Sequence, residues 1–361
     1  MRPDFHKVDQ LMGQGVAQRI FPGAVLLIAC GDEVLWHEAY GMADLFSGRR
    51  VQQETVYDLA SLTKPLVTAA AVMLLVQQGL LDLDRPVREH FPDFKCDGKE
   101  KITPRHLLSH TAGLPAWRPY YLRLAQVPWD HRADKLRDWV FSEPLQAAPG
   151  ARAEYSDLGF MMLQWLVEKI VGDRLGRFWA SSVALPLGID SLFFLEGDDR
   201  LTPEHFAATE LCPLRGRLLI GEVHDDNAYV LGGTAGHAGL FGTARAVWCL
   251  LQEFMRTERE YHHHGIFERE VLAAFFRRQF ETTWALGFDT PAAQGSSAGS
   301  HFTAGSVGHL GFTGTSFWMD LKRRVIIILL TNRVHPSRYN LAIKQFRPGL
   351  HDAVMNALGG H

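Results

Sequence analysis

The chain has 361 residues, 47% hydrophobic and 21% charged, which fits a globular protein with a large core and argues against disorder as its main state. Its formal net charge of −3 offers no basic face for a phosphate backbone, so nothing in the charge balance supports nucleic-acid binding. Cys30, Cys96, Cys212 and Cys249 are scattered and form no CxxC pair; they read as free thiols rather than a zinc ribbon or disulfide scaffold.

Residues 1–18 are mixed and polar, without the basic start and apolar stretch of roughly 7 to 15 residues that an export signal needs. The expected location is therefore cytoplasmic. Gly23 to Cys30 is apolar and β-prone, Gly31-Asp32 makes a turn, and Glu33 to Tyr40 continues the pattern, so a β-hairpin is predicted. From Lys64 to Gln78, the residues Leu66, Val67, Ala70, Met73, Leu74 and Gln77 trace a buried helical face that ends at Gly79. The apolar runs Ala69 to Val76 and Val325 to Leu330 fall short of the ~20 residues that cross a bilayer, so no membrane span is expected.

Helical patterns follow at Thr103 to Ser109, Arg132 to Phe141 and Ser156 to Val171, joined by loops rich in Pro and Gly. After a helix over Thr243 to Arg256, strands are predicted at Val307 to Phe312, Thr315 to Leu321 and Val325 to Leu330, with a last helix from Tyr339. The Gly- and Ser-rich segment Gln294 to His301 reads as a mobile loop. His262, His263 and His264 fit an exposed polar turn better than a metal site and receive no role. Strands at both ends with helices between them predict an α/β (α+β) fold. Residues 1–80 and 232–361 would form a discontinuous α/β sheet domain, with an antiparallel sheet flanked by helices, and residues 81–231 a mainly helical lobe. The active cleft would lie between them.

Three segments carry chemistry. In Ser61-Leu62-Thr63-Lys64, positions i and i+3 share a helical face, so the Lys64 amine reaches the Ser61 hydroxyl. A serine hydroxyl needs a proton acceptor, and burial depresses a lysine pKa and frees its amine. Such a pair alone also fits a capping serine and a solvated lysine. The second segment is Tyr155-Ser156-Asp157, where a phenol can relay protons if nearby positive charge lowers its pKa, while Asp157 also fits a first-turn carboxylate. The third is Gly308-His309-Leu310-Gly311-Phe312-Thr313-Gly314, whose glycines suit a strand edge that a ligand approaches closely, or a bulged strand.

In this order and spacing the three segments resemble the signature of class C β-lactamases, low-molecular-weight penicillin-binding proteins and related esterases. Leu107 to Leu114, Pro186-Leu187-Gly188 and Gly236 to Phe241 resemble connecting segments of the same family. The resemblance implies an acyl-enzyme mechanism with Ser61 as nucleophile and Lys64 and Tyr155 handling protons. The backbone N–H groups of Ser61 and Phe312 would form the oxyanion hole, with Asp157, His309, Leu310 and Gly311 binding substrate. No metal and no cofactor are implied.

Two positions depart from the commonest signature. Asp157 stands where asparagine is usual and would hold Lys64 as an ammonium, shifting proton abstraction toward Tyr155. His309 stands where lysine is usual and offers a substrate carboxylate less positive charge at neutral pH. The expected function is a serine hydrolase acting on a small-molecule ester or amide, with an esterase ahead of a D-alanyl carboxypeptidase, D-aminopeptidase or β-lactamase, and a non-turnover penicillin-binding-like sensor as the other class. His224 and Asp225 either stabilise a loop or line the pocket, and Trp117, Tyr120 and Tyr121 either wall the pocket or join the core. Oligomeric state is not readable.

Overall fold

A computed structural model describes residues 3–91, 94, 98–195, 201–259 and 265–359. Cys96 and His262, His263 and His264 lie outside the described residues. The strands in chain order are β1 (Gly23–Cys30), β2 (Glu33–Asp44), β3 (Arg49–Arg50), β4 (Tyr57–Asp58), β5 (Leu192–Phe194), β6 (Leu211–Cys212), β7 (Arg217–Leu218), β8 (Leu240–Gly242), β9 (Val307–Leu310), β10 (Ser316–Asp320) and β11 (Val325–Thr331). The main sheet runs β3-β2-β1-β11-β10-β9, so the predicted hairpin from the start of the chain meets the three late strands. β1 and β11 pair antiparallel from Ala24 opposite Thr331 to Cys30 opposite Val325.

Two apolar faces explain why β1 and β11 read as unbroken hydrophobic runs rather than alternating ones. Val25, Leu27, Ile326 and Ile328 join the large core that contains the helix Ala70–Gln77 and the helix Ala244–Arg259. Leu26, Ile28, Ile327 and Leu329 face the other way, onto Val8 and Met12 of the helix His6–Ala17 and Leu350 and Val354 of the helix Ile343–Ala357. The fold is mixed α/β with antiparallel sheets covered by helices, as the sequence predicts.

Several boundaries differ. The strand predicted to reach Phe312 stops at Leu310, because Gly311 N bonds Thr315 O at 2.8 Å and Gly314, with φ of 110°, closes a tight turn. The last helix starts at Ile343 rather than Tyr339. Lys64–Ala69 is π-helical before the α-helix Ala70–Gln77 begins. Pro65 contributes no N–H there, and Trp179 Nε1 takes the Leu66 carbonyl at 2.8 Å, which favours the wider turn. Residues 294–301, expected to be mobile, are tied to the last helix. Ser300 N and Oγ bond the Asp352 carboxylate at 2.6 and 2.9 Å, and His351 Nδ1 meets Ser297 O at 2.8 Å. Cys30, Cys212 and Cys249 are free thiols.

Candidate active site

Ser61 sits in a turn clamped from three directions. β4 delivers Asp58, and Ala60 then takes a φ of +48°, a left-handed conformation that a side chain disfavours. The buried Asp58 carboxylate holds that turn by accepting from Ala60 N at 2.8 Å and His224 N at 2.7 Å. Burial raises its proton affinity, partly countered by the His224 N–H. From the late strands, Thr313 Oγ1 donates to Asp58 O at 2.7 Å and Thr315 Oγ1 to Leu59 O at 3.1 Å. From β8, Leu240 N donates to Thr63 Oγ1 at 3.1 Å, whose hydroxyl bonds Ala60 O at 2.6 Å.

Lys64 is fully buried, with Nζ 3.0 Å from Ser61 Oγ, 3.1 Å from His237 O and 2.6 Å from Asp157 Oδ1. Asp157 arrives on the first turn of the helix Asp157–Val171, whose N-cap is Ser156. Burial alone would lower the Lys64 pKa, but the Asp157 charge and then Tyr155 outweigh it and raise it. Lys64 is therefore a resting ammonium, as the carboxylate at position 157 led the sequence to suggest. The Tyr155 phenol hydrogen-bonds with Lys64 and Ser61, and Lys64 Nζ lies 4.8 Å from its ring centroid. Its pKa is raised, because burial outweighs the opposing pull of Lys64, so the lowered phenol pKa that the sequence suggested does not arise.

On β9, His309 is buried with Nδ1 donating to Leu310 O at 3.0 Å, and burial, then Lys64, hold its pKa down to about 3. It is a neutral imidazole at pH 7, with Nε2 buried and without a hydrogen-bond partner among the described residues. A Cβ at Gly311 would fall 2.6 Å from Leu59 O, so glycine lets β9 close against the Ser61 turn. Ser61, Tyr155, His309, Leu310, Gly311 and Phe312 all line one cavity of about 570 Å³. The three segments thus meet across the chain, Asp157 reaching the group through Lys64.

Sequence reasoning missed several neighbours. Trp284 lines the cavity, and His110, left-handed at φ +58°, packs its ring 4.6 Å from both Tyr155 and Trp284. Ser156 N donates to His110 Nδ1 at 3.1 Å, and burial keeps that imidazole neutral. Leu107 to Leu114 was readable as a segment, but Trp284 stands in a loop without periodicity. Asp289 also lines the cavity, where burial pushes its pKa up to about 7.

Other candidates lie elsewhere. Trp117, Tyr120 and Tyr121 are not in the cavity wall, and Tyr120 Oη bonds Glu143 at 2.9 Å. His224 meets Glu210 at 3.1 Å, while Asp225 caps a short helix through Ala228 N at 2.7 Å and accepts from His237 Nε2 at 3.1 Å. This is the loop-stabilising arrangement. Asp157, Asp225 and His237 bring ligand atoms within 4.8 Å of one another, a spacing that suits a cation. The Lys64 ammonium already contacts Asp157 there.

The model of the Beta-lactamase family matches residues 8–347. The chain is 31% identical to the N-acetylmuramyl-L-alanine amidase of Bacillus subtilis (strain 168), over 91% of this chain and 81% of that protein. It is 30% identical to the putative D-alanyl-D-alanine carboxypeptidase of Salmonella agona (strain SL483), over 92% of this chain and 84% of that protein. EstCE1, a hydrolase with promiscuous acyltransferase activity, shares the fold with a TM-score of 0.72 at 24% identity, covering 95% of this chain and 98% of its own. The octameric penicillin-binding protein homologue from Pyrococcus abyssi does so with a TM-score of 0.76 at 20% identity, covering 99% and 78%. Through a match that spans the buried Ser61 turn, the late strands and the helices between them, the chain belongs to the Beta-lactamase family of hydrolases.

Proposed function

We propose that the chain is a serine hydrolase in which Ser61 attacks an ester or amide carbonyl and carries the acyl group until water removes it. The observation that carries this reading is Lys64 Nζ, buried 3.0 Å from a hydroxyl that opens on a cavity of about 570 Å³. As Ser61 Oγ bonds to the carbonyl carbon, its proton passes to Lys64, whose own proton moves along the 2.6 Å contact to Asp157. Tyr155, kept as a neutral phenol by burial, donates to the leaving group and is reprotonated from Lys64. This assigns abstraction to the Lys64–Asp157 pair rather than to Tyr155. The Ser61 and Phe312 N–H groups receive the oxyanion, each donor contributing roughly 3 to 4 kcal/mol.

The neutral His309 supplies no cation to a substrate carboxylate at that position, which supports an ester or uncharged amide at the reacting end. The names of relatives at 30 to 31% identity favour a second reading, hydrolysis of a peptide amide. Intact-mass spectrometry after exposure to a fluorophosphonate, p-nitrophenyl esters, D-alanyl peptides and β-lactams tests both. Adducts should appear on Ser61 and vanish in Ser61→Ala, with the acyl mass identifying the donor. Labelling that survives Ser61→Ala would end the proposal, and an adduct that forms once and does not turn over would make the protein a sensor.

A further inference from the structure

Among the described residues that line the Ser61 cavity, Asp289 is the one acid. Backbone fixes its place. After the helix Arg269–Phe276 the chain folds back on itself, with Gly287 at a φ of 87° and Ala285 N donating to Phe288 O at 2.9 Å, so that Trp284 lies opposite Asp289. Asp289 in turn pairs antiparallel with Gly308 on β9, its N donating to Gly308 O at 2.8 Å and its O accepting from Gly308 N at 2.9 Å. Residues directly opposite one another in an antiparallel pair carry their side chains on the same face. Trp284 and Asp289 therefore line the cavity side by side, while Gly308 adds no side chain there.

Little holds the Asp289 carboxyl. Thr290 N donates to its Oδ1 at 2.9 Å, and among the described residues no ion pair reaches it. Arg278, the cation that acts on it by charge, directs its guanidinium instead to Thr290 Oγ1, 2.7 Å from Nε, and to Pro291 O. Of the other groups around the cavity, His309 and Tyr155 are neutral, and His351, bonded to Ser297 O, is a neutral imidazole whose pKa burial holds down to about 4. Arg333, Lys344 and Arg347 line the cavity as well, yet none of them pulls the Asp289 carboxyl down. An enclosed carboxylate without a counter-charge keeps its desolvation penalty, and burial lifts this one to about 7.

The counter-charge that suits this corner is organic. The Trp284 ring offers an aromatic face next to the carboxyl, the pairing that receives ammonium groups. A divalent metal ion takes several oxygen ligands, which a single carboxyl does not provide. Like charge on Arg333, Lys344 and Arg347 turns a cation away from their part of the wall and toward Asp289. Trp284 also packs 5.5 Å from the ring of Tyr155, the residue assigned to protonate the leaving group.

We propose that Asp289 and Trp284 form a subsite for an ammonium group carried on the leaving-group side of the substrate. The ion pair forms only when the carboxyl is ionised, so the subsite gains strength as pH rises through neutrality. Its placement on the leaving-group side rests on the acyl-hydrolase reading; the binding of an ammonium does not.

The test compares butyrylcholine with 3,3-dimethylbutyl butyrate, which have the same shape and differ by one permanent positive charge, with butyrate release followed by chromatography. The ratio of the two kcat/KM values is independent of the fraction of folded enzyme, and the intrinsic difference in reactivity between the esters cancels when ratios are compared. In wild type the ratio should rise about tenfold between pH 5.5 and 8.5 in favour of the cationic ester. In Asp289→Asn it should stay flat across that range and lie about tenfold below wild type at pH 8. A ratio that Asp289→Asn leaves unchanged at pH 8, or one that varies with pH equally in both proteins, overturns the subsite. Calorimetry at pH 8 with the two esters, on Ser61→Ala and on Ser61→Ala with Asp289→Asn, separates the two readings. If wild type hydrolyses neither ester, binding of butyrylcholine that depends on Asp289 sustains the subsite while the hydrolase reading falls; binding indifferent to Asp289 overturns the subsite.

Discussion

Lys64, behind Ser61, and Arg347, on the cavity wall, are both buried cations, and their proton affinities move in opposite directions. Lys64 is fully buried and its pKa rises; Arg347 is 4% exposed and its pKa falls to about 9. Burial acts on both in the same sense, as the loss of hydration disfavours the charged form. The difference lies in what stands beside them. Lys64 has the Asp157 carboxylate at 2.6 Å, whereas Arg347 has neutral carbonyl oxygen and another guanidinium. A partnered buried charge is a finished structural element. One without a partner is a place where an incoming group changes the energetics.

The comparison breaks most visibly at Lys64. Lys64→Met should reduce kcat/KM for an activated ester by about a thousandfold or more, since Ser61 loses its proton acceptor. It should also destabilise the fold by roughly 3 to 5 kcal/mol, measurable by urea denaturation, because Asp157 is left beside no cation. Asp157→Asn probes the same pair from the other side. Without that carboxylate the main cause raising the Lys64 pKa is gone and the onward acceptor of its proton is lost, so kcat/KM at pH 7 should fall by about tenfold or more. The sign for stability follows. A lysine whose pKa is raised on folding contributes fully below its ordinary value and loses that contribution as pH climbs through the folded value, so wild type should weaken relative to Asp157→Asn only in strongly alkaline solution.

Asp289 gives the smallest and mirror-image effect. Burial raises its pKa to about 7, so folding favours its neutral form. Below pH 4 the carboxyl is protonated folded or unfolded and imposes no penalty; between pH 4 and 7 stability is lost as the unfolded chain ionises first. Asp289→Asn should therefore raise stability by roughly 2 to 4 kcal/mol at pH 8 and by almost nothing at pH 4, in paired denaturation curves. Equal gains at both pH values would remove ionisation as the cause.

Much of the sheet was legible in the sequence because its strands are long and apolar: Gly23–Cys30 and Val325–Thr331 need no partner to be recognised. The Ser61, Tyr155 and His309 segments were legible through residue type and spacing. What stayed hidden depends on distant backbone. β4 is two residues long, and Asp58 gains its importance only from Ala60 N and His224 N. His237 supplies a carbonyl to Lys64, and any residue type presents the same atom. The electrostatic directions were legible only in part. That Asp157 would hold Lys64 as an ammonium followed from residue type and spacing, whereas the Tyr155 shift required knowing that its ring is enclosed. Arg333 and Arg347 carried no local signal, since unpaired and paired arginines look alike in a sequence.

The hydroxyls of Thr313 and Thr315 bond the carbonyls of Asp58 and Leu59 from 255 and 256 residues downstream. Ribosomes add roughly 5 to 20 residues per second, so about 10 to 50 s pass between the emergence of Ser61 and that of the threonines that secure its turn. A nascent chain arrested within that interval carries the serine and lysine without the strand edge opposite them. On the proposed reading, prematurely terminated products would then be inert toward acyl donors, and acylation would be confined to finished molecules.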